Sequence, residues 1–343
     1  MSLSFVALGD IHADKLTDLL GDAAHDLMYG EWCKAADYAI NNGIKHLFQL
    51  GDVSNAPRLS EEARIALLKF MFKYDGRLEM DWVLGNHDVE HEGFHSLQAF
   101  AELCSQQTFK TTRVHVVASQ RKIGGVTVDF LPFPHKKALK GGNKQHLCLA
   151  HLERPGAERD NGMRIDSDSG VPQKDDHQWV VGHLHTHQKL GRTWFTGTAY
   201  QTNFGESLPK GFTVGKASQL TNGKLKVELE FIKTSPKFVL HNLKVETLKD
   251  FDKIKDDPLH LYKVTIARGL KVDFDVPTRY PNVVNNPSTY ANAAESKVAL
   301  EASPTHDIKT GLGKDLRDRG FDKRMVKRGI KIVDSILSNL QTP

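Results

Sequence analysis

The sequence predicts an α/β sandwich that gathers polar groups at the carboxyl ends of buried strands. Three observations carry this. Five apolar runs of strand length each end on a short polar motif, helix-period stretches lie between the early runs, and glycine stands at four of the junctions. Ser4–Leu8, His46–Leu50, Asp81–Leu84, Leu147–Ala150 and Trp179–Val181 are the runs. Short apolar segments bounded by turn residues read as buried strands. They lead into Asp10-Ile11-His12, Gly51-Asp52, Gly85-Asn86-His87-Asp88, His151 and Gly182-His183-Leu184-His185. Gly9, Gly51, Gly85 and Gly182 are expected to let the chain turn sharply at the strand tips.

Between the runs, Trp32–Ile40 reads as a helix with Ala35, Ala36 and Ala39 at close-packing spacing. Ser60–Tyr74 opens on a Ser-Glu-Glu cap signal and carries Ile65, Leu68, Lys69 and Phe72 three to four apart. Strands alternating with helices, each delivering a polar group from its carboxyl end, place a site at the strand tips. Further on, Lys210 to Ile232 reads as two alternating strands around Asn222-Gly223. Phe238–Leu243, Leu248–Ile254 and Leu261–Ala267 read strand, helix, strand. Pro277 to Ser303 is rich in Pro, Asn, Ser and Thr, the composition of an extended linker. Val326, Ile330, Val333, Leu337 and Leu340 then form a heptad seam, with Arg324, Lys327, Arg328 and Lys331 as a basic stripe. Such a helix could pack on its own domain, bind a partner or contact DNA.

At 343 residues the chain has room for one large domain and smaller appendages. Cys33, Cys104 and Cys148 show no CxxC spacing, so reduced thiols in a cytosolic protein are expected rather than a disulfide framework. Met1 to Leu8 lacks the pattern of a signal peptide, and no apolar run approaches the roughly 20 residues of a membrane helix. The net charge of +4 concentrates in residues 307–343, where nine Lys/Arg face five Asp/Glu. No GxxxxGK[ST] segment for ATP is present.

The strand-tip motifs supply two carboxylates, an amide and four imidazoles, with no thiol among them. That donor set suits two adjacent divalent cations such as Mn²⁺, Fe²⁺ or Zn²⁺. Paired ions of this kind, about 3.5–4 Å apart, activate water against phosphate esters. Taken singly, His151 reads equally as a core histidine, Asp10 as a helix cap and Asp52 as a turn residue. Caps and turns do not call for the triplets Asn-His-Asp and His-x-His in that order, so the set reads as one site. His91 and His95 read as surface histidines, and Lys136, Lys137, Lys140 and Lys144 as a solvated basic loop or a phosphate contact.

In order and spacing the motifs resemble the calcineurin-like metallophosphoesterase superfamily over residues 4 to about 206. Trp194-Phe195-Thr196-Gly197-Thr198-Ala199-Tyr200-Gln201-Thr202-Asn203-Phe204-Gly205-Glu206 is similar to a stretch of the SbcD-type nucleases. That branch includes the meiotic-recombination-eleven nucleases and phage recombination endonucleases, which partner SMC-like ATPases. The resemblance implies a four-layer α/β/β/α catalytic sandwich over residues 1–235 and a small DNA-seating cap over 236–276. A linker over 277–312 and a C-terminal docking helix over 313–343 would follow. It implies that Asp10, His12 and His185 hold one metal ion and Asn86, His151 and His183 the other, with Asp52 bridging. Mn²⁺ is the expected metal, with Mg²⁺, Fe²⁺ or Zn²⁺ as alternatives. His87 would stabilise the transition state or protonate the leaving oxygen, and His187, beyond the second ligand pair, is left out. Asn55 departs from the pattern: phosphatase members carry Asp there and the SbcD-type nucleases usually His. Its side-chain amide is expected to orient His87.

The implied activity is exonuclease and endonuclease hydrolysis of DNA ends in recombination, repair or replication. The implied partners are DNA, an SbcC-type ATPase bound through the C-terminal helix, and a second copy of the chain. The cytoplasm of a bacterium or of a phage-infected host is the expected location. The competing expectations are a phosphoesterase of small esters or cyclic nucleotides and an inactive scaffold.

Overall fold

The computed structural model describes residues 2–90, 93–135, 137–140, 144–166 and 176–290. The order begins β1 (Leu3–Leu8), α1 (Thr17–Leu20), α2 (Ala24–Asn41), β2 (His46–Leu50), α3 (Glu61–Tyr74), β3 (Glu79–Val83), α4 (Gln98–Ser105) and β4 (Thr112–His115). It continues with β5 (Ser119–Ile123), β6 (Val126–Leu131), β7 (Leu147–His151), β8 (Gln178–Gly182), β9 (Gln188–Leu190) and β10 (Thr193–Phe195). Last come β11 (Lys210–Gln219), β12 (Leu225–Thr234), β13 (Val239–Val245), β14 (His260–Ala267), α5 (Val276–Arg279) and β15 (Ser288–Tyr290). The fold is α/β with mixed sheets, and all five apolar runs form strands within two residues of their expected ends.

Two six-stranded sheets run β12-β11-β1-β2-β3-β4 and β5-β6-β7-β8-β10-β9. β1 to β4 are parallel, as are β6, β7, β8 and β10, so the motifs after β1, β2, β3, β7 and β8 all leave carboxyl ends. The two-residue period of each strand splits its side chains between layers. Phe5, Ala7, Phe48, Leu50 and Val83 of the first sheet cluster with Val128, Phe130, Leu147, Leu149 and Val180 of the second. Val6, Leu8 and Leu47 join Met28, Trp32, Leu67 and Phe70 of the helices instead. On its other side the second sheet buries Cys148, Ala150, Trp179, Val181 and Phe195 with Leu152, Ala157, Ile165 and Leu184 of connecting segments. Among the described residues of this last cluster none is helical.

α3 forms over the expected stretch. Ser60 caps it as the cap signal implies, its Oγ accepting from the Ala63 amide at 3.0 Å. Its buried face, however, is Ala63, Ala66, Leu67, Phe70, Met71 and Tyr74. Ile65 is 44% and Phe72 60% exposed, and Leu68 is partly buried against the core, so the spaced residues lie largely toward solvent. The helix is apolar on both sides, so periodicity alone does not say which one is buried.

The described residues divide into two compact units. The first comprises Met1–Leu243, Ile254–Lys263 and Asp275–Asn286; the second comprises Lys244–Lys253, Val264–Phe274 and Pro287–Tyr290. β13, β14 and β15 form a three-stranded sheet, with Thr265 of β14 opposite Ser288 of β15. The helix expected over Leu248–Ile254 is a 3-10 helix at Leu248–Lys253. Residues 277–290 of the expected linker contain most of α5 and all of β15. The heptad seam, its basic stripe, His91, Lys136 and Gly141-Gly142 lie outside the described residues. Among the described residues, no helix is long and apolar enough to cross a membrane.

Candidate metal centre

The carboxyl ends of the two sheets meet where Asp10 Oδ1 accepts a hydrogen bond from the His183 amide at 2.8 Å. The Ile11 and His12 amides both donate to the Asp52 carbonyl at 2.9 Å, tying the loop after β1 to the loop after β2. Asp52 Oδ1 accepts from the His87 amide at 2.8 Å, which adds the loop after β3. Asp88 completes this clasp from 0% exposure, accepting from the Gly85 and Ser54 amides and from the Ser54 and Ser96 hydroxyls. Its carboxyl is raised above the usual range by burial and by the neighbouring Asp52 charge.

These ties bring all seven expected ligands together. Asp10, His12 and His185 form one group of donors, and Asp52, His151 and His183 a second. Asn86 Oδ1 lies 2.9 Å from both His151 Nε2 and His183 Nδ1. Asp52 Oδ2 stands 3.3 Å from His151 Nε2 and 3.9 Å from His12 Nε2, between the two groups.

The outer nitrogens of three imidazoles decide what the inner ones can do. His151 Nδ1 is bound to the Leu50 carbonyl at 2.9 Å, His183 Nε2 to Glu153 at 3.1 Å, and His185 Nδ1 to Glu206 at 2.8 Å. Each partner is an acceptor, so each outer nitrogen carries the proton and the inner nitrogen keeps a lone pair. Yet His151 Nε2 and His183 Nδ1 are only 3.1 Å apart, and His12 Nε2 and His185 Nε2 only 3.0 Å. Between His151 and His183 two lone pairs face each other and repel unless a proton or a cation lies between them, whereas His12, whose Nδ1 has no partner, can itself carry a proton on Nε2 toward His185. Asp10 Oδ2 is also buried with no hydrogen-bond partner. The donors therefore fit divalent cations; a third group of donors, Asp160 and Glu206 with His185, meets the outer Nδ1 of His185 at 3.4 Å and 2.8 Å.

The titration of the cage follows from the same crowding. Burial disfavours the His151 imidazolium, but Asp52 and Asp10 overcome it and push the group up to about 9. Burial likewise opposes charging of His185, and Asp10 and Glu206 push it up to about 10. His12, with burial dominant, is pushed down to about 4. Asp10 is held well below the usual carboxylate range, against burial, by His151, His185 and His12. Without metal, protons hold the place of cations.

Two expectations change in detail. Of the four junction glycines only Gly51 has a positive φ, at 89°. Gly9, Gly85 and Gly182 are needed for space: a Cβ on Gly85 would lie 2.1 Å from Asp52 Oδ1, and one on Gly182 2.2 Å from the Leu50 carbonyl oxygen. The sharp backbone falls on the ligands themselves, since His12, Asp52 and His183 have φ of 46°, 49° and 92°. Non-glycine residues in that region store strain that clusters at functional sites. The other change concerns His87, which is exposed and edge-on to His12 with ring centroids 5.0 Å apart. Its Nδ1 meets the main-chain carbonyl of Asn55 at 3.0 Å, not the side-chain amide, so any residue at position 55 offers that contact.

His187 packs away from the cage, stacked on Phe231 with centroids 4.2 Å apart and bound to the Phe195 carbonyl. His95 is half-buried, and Lys137, Lys140 and Lys144 are exposed. Sequence reasoning did not single out Asp88, Glu153 or Glu206 for a role at the cage. Asp88 and Glu206 each close a motif already noted, a signal that could have pointed to them.

No family model matches the chain, and no curated protein does. Among solved structures, similarity is found to GAP50, the anchor in the inner membrane complex of Plasmodium, with 13% identity and a TM-score of 0.38. That match covers 68% of this chain and 84% of the other. A hypothetical protein from Thermus thermophilus is 12% identical with a TM-score of 0.35, covering 68% of this chain and 100% of the other. Neither likeness is close enough to carry fold or function across.

Two outcomes are expected. Asp88→Ala leaves several buried donors unpaired and should cost about 3 kcal/mol or more, read by urea denaturation. Divalent cations should displace protons from His151 and His185, so Mn²⁺ affinity should fall as pH drops below about 9 to 10. Calorimetry in buffers of different ionisation enthalpy checks this; binding that releases no proton at pH 7.5 would contradict it.

Proposed function

We propose that the chain is a two-cation phosphodiesterase acting on DNA ends, a nuclease subunit of the SbcD type that works with an SMC-like ATPase. The observation that carries this reading is the double donor cage, with Asp52 between its halves and the exposed His87 at its mouth. The four-layer α/β/β/α sandwich belongs to the same reading, as does Mn²⁺ as the metal. Position 206 strengthens the link to the branch motif, because Glu206, its last residue, touches the ligand His185.

Two divalent cations in the cage would supply Lewis-acid stabilisation of phosphoryl charge and activation of water. Asp10, His12 and His185 would hold one and Asn86, His151 and His183 the other, with Asp52 shared. The chain's own proton chemistry falls to His87. The Asn55 carbonyl fixes a proton on His87 Nδ1, so the proton that moves is the one on Nε2. Donation from Nε2 to the leaving oxygen is general-acid catalysis, worth about 10²–10⁴ in rate. The buried Asp10, Asp52 and His151 form the floor of the cage, and His87 stands on its accessible side.

Purified chain with Mn²⁺ should degrade end-labelled duplex DNA well above any action on p-nitrophenyl phosphates. Preference for the small esters would favour the small-substrate reading, and inactivity on both would favour a scaffold. His87→Ala should lower turnover about 10²–10⁴-fold with metal content near normal, whereas Asp52→Ala should loosen both ions together. Two ions retained at wild-type affinity in Asp52→Ala would reject the bridging role.

Partner surfaces follow from the same proposal. The solvent face of α3, with Ile65, Leu68 and Phe72 beside Tyr29 of α2, suits a homodimer. Phe72→Asp should then sediment as monomer where wild type sediments as dimer. The C-terminal seam suits the ATPase: Ile330→Asp should abolish ATPase binding and leave DNA affinity unchanged. Reduced DNA affinity with intact ATPase binding would make the tail a DNA arm instead.

A further inference from the structure

Lys210 is 1% exposed and Glu206 4%, an unusual depth for a charged pair. Lys210 Nζ donates to Glu206 Oε2 at 2.5 Å, to Thr198 Oγ1 at 3.0 Å and to the His185 carbonyl at 3.0 Å, which uses all three of its protons. Glu206 is equally saturated. Its Oε1 receives His185 Nδ1, Thr202 Oγ1 and Asn203 Nδ2, and its Oε2 receives the Thr202 amide besides Lys210. A buried ion pair is poor evidence of stabilisation, because apolar replacements of similar volume are often neutral or better. What this pair does uniquely is grip one residue twice, at the His185 ring and at its carbonyl.

We propose that Glu206, itself held by Lys210, is a positioning residue that fixes His185 as the Nδ1–H tautomer and aims its Nε2 lone pair at the cation position shared with Asp10 and His12. A carboxylate behind a ligating histidine fixes its ring and raises its basicity, and loss of such a partner typically costs about 10–100-fold in metal affinity. The other half of the cage does not depend on the pair. His151 is held by the Leu50 carbonyl, and His183 by Glu153, whose side chain is 26% exposed. The effect of Glu206 is therefore confined to one cation. This inference rests on the two-cation reading of the cage.

Mn²⁺ titration followed by calorimetry and electron paramagnetic resonance tests it on the full chain. Two variants are compared, Glu206→Gln, which keeps an acceptor without the charge, and Glu206→Gln/Lys210→Met, which leaves no unpaired ammonium inside. Both should weaken one Mn²⁺ about 10–100-fold, abolish the spin-coupled signal at limiting metal and leave the second ion at wild-type affinity, as His185→Ala also should. Added to His185→Ala, Glu206→Gln should cause no further loss, because the two act on one ligand. Equal weakening of both ions would mark a purely structural pair and overturn the proposal, as would unchanged affinities or losses that add. A wild-type chain that binds no Mn²⁺ would instead remove the two-cation reading itself.

Discussion

Like groups forced into contact are the constraint on which this site depends. Two parallel strand sets end at one place, and the loops leaving them are tied through the Asp10–His183, Asp52–His87 and Asp52–loop hydrogen bonds. The result sets imidazole nitrogens 3.0–3.1 Å apart with carboxylates behind them. A chain does not fold into such crowding for its own stability. Positive φ at His12, Asp52 and His183 adds strain in the same place. Stability comes from elsewhere: the inter-sheet layer around Phe5, Phe48 and Phe130, and the helix-side layer around Trp32, Phe70 and Trp82. Those layers are broad enough to hold the tips in a strained arrangement that a bound cation would relieve.

Most of this was legible in the sequence, for a physical reason. Strand tips are where periodic apolar patterning stops and chemistry starts, so each run and the motif after it mark one another. β2 was placed to the residue, and β1, β7 and β8 to within one. Two things were hidden. Which face of α3 is buried could not be read, because Ile65, Leu68 and Phe72 are as apolar as Leu67, Phe70 and Met71; only the position of β1 and α2 decides between them. Main-chain partners were hidden as well. Asn55 attracted notice for its side chain, yet its carbonyl makes the contact, and no substitution pattern reports on a carbonyl.

The glycines show how a visible residue can be given an incomplete cause. They are expected to turn the chain at the strand tips, and turning holds only at Gly51. At Gly85 and Gly182 the missing side chain is what lets Asp52 and the Leu50 carbonyl approach. These are the groups that bridge the cage and fix the His151 tautomer. The positive φ angles fall instead on His12, Asp52 and His183, whose side chains line the cage. A glycine-to-alanine change there would displace a ligand rather than stiffen a turn.

Burial is also graded across the cage, and the gradient has chemical meaning. Asp10, Asp52 and His151 are almost wholly enclosed, while His183 is 25% exposed and His87 more so. Charge held on the enclosed side is shielded from solvent and keeps its strength. Groups on the open side can meet a substrate without first being uncovered. The outer partners follow the same gradient, a backbone carbonyl and the saturated Glu206–Lys210 pair within, Glu153 with the half-exposed Arg159 without. Under the proposed function the inner half needs to hold its geometry through each turnover, while the outer half admits and releases a polyanion. Rigidity on one side of the cage and tolerance on the other is what the burial of its supports provides.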